Sequence, residues 1–251
     1  MPKTLPQGLF FLLFSVSGIS PVFSACSDEA RPQVNWVNCD LSGKDFTNVD
    51  LSNAVMSGAN FDNADFSGAI LEDADFNFAS LKNTRFDGAR MPRARLLSVK
   101  AQGASFKNAV LEHARLSRAQ LKEADFRGVR ADKAEFYDAK LESALFTGAR
   151  LNEVDFERSN VSQANFERSI LNKAVFRNAR LHQTNFKKAE MIRTILDESD
   201  GLNADFSEAN LTKASFREAE IEESIFTGAI LKDTTWSNYK RCRASSIGIC
   251  K

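Results

Sequence analysis

Beyond its first 25 residues the chain has no long apolar run, no cysteine between Cys39 and Cys242, and only two histidines. Each absence removes a class. A bilayer span needs about 20 apolar residues, so the body of the chain carries no membrane-span signal. Four thiols split between the two ends of the chain, with no histidine clustered beside them, argue against a zinc site. Net charge is missing as well. The 33 basic residues balance 33 acidic ones, which gives no hint of nucleic-acid or acidic-substrate binding. Tyrosine and tryptophan are scarce, two of each, against 21 phenylalanines. A bias that strong points to one structural slot, repeated, that accepts Phe.

The first 25 residues are unlike the rest. Lys3 supplies a small positive start, Gly8 to Val16 (GLFFLLFSV) is an apolar run, and Gly18, Pro21, Ser24 and Ala25 follow. This is the layout of a secretory signal peptide. Its removal would leave the mature chain in the periplasm or secreted. The alternative is a lipoprotein anchored at Cys26. Phe23-Ser24-Ala25-Cys26 carries Phe where that motif uses Leu, and acylation would leave Cys39 without an obvious partner.

From Lys44 to Trp236 a single register runs without insertion. Every fifth residue from Phe46 is large and apolar with few exceptions, and the residue two before it is small. Of these 39 small slots 26 are Ala, and the others are Ser, Thr or Val apart from Lys44. An α-helix repeats every 3.6 residues and a flat strand every two, so a period of five needs a third geometry. A square coil supplies it. Each five-residue unit makes one short side and one corner, with two residues inward and three in water. Four units close a turn, and stacked turns pair their backbones about 4.8 Å apart.

The interior slots alternate. Central residues ending in 6 are Phe in 15 of 20 cases, and those ending in 1 are Leu in 11 of 19. A repeat of twenty residues turns this into ladders. One is unbroken: Phe46, Phe66, Phe86 and so on to Phe226. The opposite one is mixed, running from Met56 and Phe76 to Phe216 and Trp236. Two stretches, Pro92 to Ala101 and Ile192 to Gly201, depart from the consensus and read as tolerated degeneracy.

Units such as Ala64-Asp65-Phe66 and Ala74-Asp75-Phe76, in register over residues 44–236, closely resemble the pentapeptide-repeat proteins. The resemblance implies an all-β, right-handed quadrilateral β-helix of about ten coils. It also brings the family's best-known activity, DNA mimicry by members that bind DNA gyrase. Those members are acidic, cytoplasmic and dimeric, and this sequence departs from the first two traits.

A rod needs caps over its open ends. Residues 26–43 and 237–251 fall outside the register and hold all four cysteines, so they read as an amino-terminal and a carboxy-terminal cap. Sequence proximity favours the disulfides Cys26–Cys39 and Cys242–Cys250, because a rod holds its ends too far apart for other pairings. No catalytic, cofactor-binding or metal-ligating residue is expected. His113 and His182 stand alone in outward slots, and acidic pairs such as Glu72 and Asp73 are common enough to arise by chance.

Charge is banded along the chain. Residues 81–118 carry nine bases and two acids, and 194–224 carry nine acids and two bases. Arg85, Arg90, Arg93, Arg95, Lys100, Lys107, Arg115 and Arg118 form a candidate anion-binding belt over about two coils, against the simpler reading of a solvated surface. The expected function is a non-enzymatic structural or protein-interaction rod. Its partner would be a protein or a cell-envelope polymer, with no nucleic acid and no membrane span. The alternatives are a DNA-mimic inhibitor of a topoisomerase and a carbohydrate-binding or carbohydrate-active β-helix.

Overall fold

The computed structural model describes residues 26–251. The expected signal peptide, residues 1–25, lies outside them. From Arg31 to Thr235 the backbone repeats one five-residue cycle of turn and bridge. Each bridge residue pairs in parallel with the residue twenty further on, as Asp45 does with Asp65 and Asp65 with Arg85. Twenty residues therefore make one square coil, and the coils stack.

Each corner is a hydrogen-bonded turn. The Ala69 N–H donates to the Phe66 carbonyl at 3.0 Å, and the same link recurs at Ala64 to Phe61 and Ala74 to Leu71. The second turn residue is left-handed throughout, from Asn83 at φ 55° to Gly228 at φ 72°. This is the type II turn, which favours Gly or Asn there and Pro one position earlier. Pro92 occupies that earlier place, so the stretch from Pro92 to Ala101 keeps the coil geometry, with Arg95 paired to Arg115 and Lys100 to Gln120. Ile192 to Gly201 is equally regular.

The Asp or Asn before each large residue has a local task. Asp65 Oδ1 accepts the Ser67 N–H at 2.8 Å, and Asn60 Oδ1 accepts the Asp62 N–H at 3.0 Å. The short acidic or amide side chain thus satisfies a turn donor that the coil ladder leaves free. Other N–H groups point along the rod. Phe66 N–H donates to the Arg85 carbonyl and Gly68 N–H to the Asp87 carbonyl, each in the next coil.

The core is apolar and stacked. The rings from Phe46 to Phe226 form one inward ladder, with neighbouring centroids 4.6–5.1 Å apart. Rings of the opposite ladder meet them edge-on, as Phe156 meets Phe166 at 5.7 Å and 84°. Both arrangements suit the ring quadrupole. Ala in the small slots is buried, and Thr or Ser there is satisfied by the backbone. Thr84 Oγ1 donates to the Phe61 carbonyl at 2.8 Å, and Ser159 Oγ to the Phe156 carbonyl at 2.7 Å. A hydroxyl with a built-in acceptor can replace a methyl in this core at little cost.

The coil begins earlier than the sequence suggests. Residues 26–43 read as a cap, yet Val34 and Cys39 fill small slots while Trp36 and Leu41 fill large ones. Only residues 26–30 precede the first turn. Lys44 sits in a small slot but is exposed. Trp36 heads the mixed ladder, 5.2 Å from Phe46, and Trp236 ends it, 4.9 Å from Phe226. Residues 237–251 fold back across part of the last coil and pair in antiparallel sense, Thr235 with Arg241 and Ile230 with Ile247. Cys26 is bonded to Cys39 and Cys242 to Cys250, so the described residues contain no free thiol.

Candidate functional surface

With the interior filled, function has to reside on the outside. The square has four faces, named here by the bridge residues of the early coils: A carries Asp45 and Asp65, B carries Asp50 and Ile70, C carries Val55 and Asp75, and D carries Asn60 and Ser80. Residues twenty apart share a face and lie one coil apart. Charge is therefore organised in columns, and the partner of a side chain is sought one coil above or below it.

The eight residues of the candidate belt divide among all four faces. Arg85 and Lys107 lie on A, Arg90 and Arg93 on B, Arg95, Arg115 and Arg118 on C, and Lys100 on D. Most are matched by an acid of an adjacent coil. Arg85 lies 3.4 Å from Asp65, Arg95 3.0 Å from Asp75, Lys107 3.3 Å from Asp125 and Arg115 3.2 Å from Glu135. Arg93 bridges Asp73 and Glu72, and its guanidinium holds the Asp73 carboxyl below the usual carboxylate range. Arg90, Lys100 and Arg118 have no carboxylate within ion-pair distance among the described residues. The structure brings together only Arg95, Arg115 and Arg118, which line a groove of about 350 Å³ with Leu97 and Tyr137 on face C.

Elsewhere the ionisable groups follow the same logic. Burial pushes Asp125 up, but the guanidinium and N–H of Arg127 and the Lys107 ammonium together bring it below its ordinary value. Asp155 moves the other way. Its burial, with Glu157 and Glu135 nearby, raises it. Neither carboxylate sits in a cleft with a nucleophile or a base. His182 Nε2 lies 2.5 Å from Asp200 Oδ2 on face D, without a hydroxyl or thiol completing a triad. Among the described residues no group of three His, Cys, Asp or Glu could hold a metal ion. Among the described residues no helix is long and apolar enough to cross a membrane.

The sequence matches a family model described as the pentapeptide repeat region in three tandem stretches, residues 32–106, 99–176 and 169–241. Among solved structures the chain is similar to HetL, a pentapeptide repeat protein involved in heterocyst differentiation regulation in the cyanobacterium Nostoc. The identity is 23%, over 84% of this chain and 92% of that one, with a TM-score of 0.51. It is also similar to QnrB1, a plasmid-mediated fluoroquinolone resistance protein, at 19% identity over 84% of this chain and 92% of that one, with a TM-score of 0.33. A pentapeptide repeat protein from the Arabidopsis thaliana thylakoid lumen matches at 25% identity over 44% of this chain and 66% of that one, with a TM-score of 0.31. No protein of curated function matches the chain. Such structures are right-handed quadrilateral β-helices. The five-residue cycle, the square coil and a family match reaching from residue 32 to residue 241 agree, and the chain belongs to the pentapeptide-repeat family.

Proposed function

We propose that this chain is a non-catalytic rod that works by presenting its flat faces to a partner in an exported compartment. The observation that carries this reading is the distribution of polar chemistry. The interior is closed from Trp36 to Trp236 by stacked rings and alanines. The ionisable groups stand on the outer faces, and the ion pairs they form run mainly between neighbouring coils, as Arg95 with Asp75 and Lys173 with Glu153, rather than converging on a cleft. A repeat rod of this kind offers a long, rigid, addressable surface, whereas hydrolysis of a glycan needs two carboxylates facing each other across a substrate site.

Two features support export. The first 25 residues have the layout of a signal peptide. The two disulfides, one at each end of the rod, suit an oxidising compartment. A DNA-mimic role would call for a continuous acidic surface, and here acids and bases mix within a column, as Asp65, Arg85 and Asp125 do on face A.

Affinity capture from intact cell envelopes tests the proposal, with the purified rod as bait. A defined partner recovered from the envelope fraction, released by salt and absent with the reduced, unfolded chain, is the expected result. Recovery of a topoisomerase from cytoplasm alone, or turnover of an envelope glycan by the rod itself, would overturn it.

A further inference from the structure

The exposed apolar side chains gather at one end of the rod. Of the seven large ones exposed among the described residues, five lie between Ile225 and Ile249, and the other two are Phe78 and Leu202. Ile247 and Ile249 are the most exposed of all, at 62% and 70%. Both belong to the segment that the Cys242–Cys250 disulfide closes into a loop. Ile247 pairs in antiparallel sense with Ile230, which is itself exposed on face B. Single apolar residues scattered over a surface are ordinary, whereas a group of them rimmed by charge marks a contact.

Charge at this end is segregated. The tail, residues 237–251, carries Lys240, Arg241, Arg243 and Lys251 and no acid. All of these cations are exposed. The tail lies over faces B and C, where Ile247 meets Ile230 and Arg241 meets Thr235. Lys213 and Lys232 stand beside it at the B–C corner, and Asp233, stacked on Lys213, is paired with Arg241 at 3.4 Å. Glu218, at the C–D corner, accepts the Tyr239 hydroxyl. The other acids of the last coil, Glu220, Glu222 and Glu223, belong to face D and the D–A corner, across the square from the tail. One side of the end is therefore apolar and basic, and the opposite side is acidic.

We infer that this end of the rod rests on an anionic membrane surface. Ile247 and Ile249 enter the headgroup layer, and the cations of the tail meet lipid phosphates around them. Apolar burial and attraction to anionic lipid act together in such a contact, and neither alone holds a protein firmly. The pairing of the two chemistries selects the ligand. A soluble anionic polymer has no apolar phase to receive the isoleucines, whereas a bilayer places hydrocarbon directly beneath its charged headgroups. Protein interfaces are depleted of lysine and draw on aromatic side chains and methionine. The tail instead exposes Lys240 and Lys251, and its large exposed apolar groups are isoleucines apart from Tyr239. Glu220, Glu222 and Glu223 are repelled by the same surface, which turns their side of the rod away from it. A rod held by this end keeps the rest of its length free for the partner proposed above.

Co-sedimentation with vesicles tests the contact, using residues 26–251, which hold the whole rod and leave out the apolar run of the first 25 residues. Vesicles of mixed phosphatidylglycerol and phosphatidylcholine should bind the rod more tightly than pure phosphatidylcholine by about tenfold or more. I247S/I249S should weaken binding to the anionic vesicles by about tenfold or more, through lost apolar burial. R243Q/K251Q should weaken it by about tenfold, through lost charge. The controls F78S/L202S and R90Q/R118Q, which remove exposed apolar groups and bases elsewhere, should change it by less than about threefold. All eight side chains are exposed, so the thermal midpoint should stay near that of the unsubstituted rod. No binding to anionic vesicles, equal binding to neutral ones, or equal losses in tail and control variants would each overturn the contact. A dimer seen by sedimentation velocity without lipid, and lost in I247S/I249S, would assign the patch to a second copy and overturn it as well. If vesicle binding fails while capture of an envelope partner persists, the partner-binding rod stands and this contact alone falls.

Discussion

Replacing Phe146 with Ala tests the energetics of the ladder where it is most regular. The Phe146 ring is fully buried. It stacks on Phe126 at 4.7 Å and Phe166 at 4.6 Å, and meets Phe136 at 6.1 Å and Phe156 at 5.8 Å edge-on. Truncation removes a whole ring from a rod whose backbone is pinned on both sides, since Phe146 N–H donates to Asn165 O and Leu145 N–H to Ala124 O. The walls cannot collapse into the gap, which places the cost in the range of about 3–5 kcal/mol for a core Phe→Ala change. Each lost ring pair accounts for about 0.5–1.5 kcal/mol of packing preference within such a figure. Guanidinium unfolding followed by circular dichroism measures it, with Arg118→Ala as an exposed control expected to stay within about 0.5 kcal/mol. A loss below about 1 kcal/mol for Phe146→Ala would refute the tightly stacked core.

Three further outcomes follow from particular contacts. Ala144→Leu forces a large side chain into a small slot of the same coil and should destabilise by about 1–3 kcal/mol in the same assay. Reducing the disulfides should fray the ends before the middle melts, because closing loops of 13 and 8 residues acts locally in a stacked rod. Hydrogen exchange should then lose protection first near Leu51 and Leu231. Acid should weaken the first coils, where depressed carboxyls are densest. The Ser42 hydroxyl and N–H depress Asp40, the Thr47 N–H depresses Asp45 and the Ser52 hydroxyl depresses Asp50. A depressed carboxyl stabilises above its unfolded value, about 3.9, and loses that contribution as pH falls through the folded one. Asp155 is raised, mainly by burial, so its contribution is complete in acid and declines as pH rises through its folded value. Exchange at about pH 3 should therefore weaken protection around Leu41 to Leu51, where three depressed carboxyls cluster, more than around Phe156, where the depressed Glu153 is offset by the raised Asp155; the reverse order would contradict these assignments.

The core was legible because burial acts on every fifth residue. Phe66 and Ala64 cannot trade places, and the same constraint, repeated, writes the period into the sequence. The start of the coil was hidden for the same reason. Cys39 and Trp36 fill their slots with uncommon residues, and Lys44, exposed, breaks the small-residue rule. The left-handed corner was invisible, since it accepts Lys133, Glu153 and Phe78 as well as Gly68. Surface charge misled in a different way. The belt from Arg85 to Arg118 is a run in sequence, but a square coil sends consecutive units to four faces, and the meaningful neighbour of Arg95 is Asp75. The grouping of Lys213 and Lys232 with the tail that pairs with Ile230 appears only once the twenty-residue spacing is known.

The most direct test of that spacing is a distance between spin labels at two exposed positions of one column. His113 and Lys213 share a corner and differ by a hundred residues, hence five coils. Five steps of about 4.8 Å place their backbones about 24 Å apart. Cysteines introduced at both positions, with the native cysteines left paired, should give a single narrow distribution near that value by electron–electron resonance. A broad distribution, or a mean displaced by more than about 10 Å, would contradict the square coil of twenty residues.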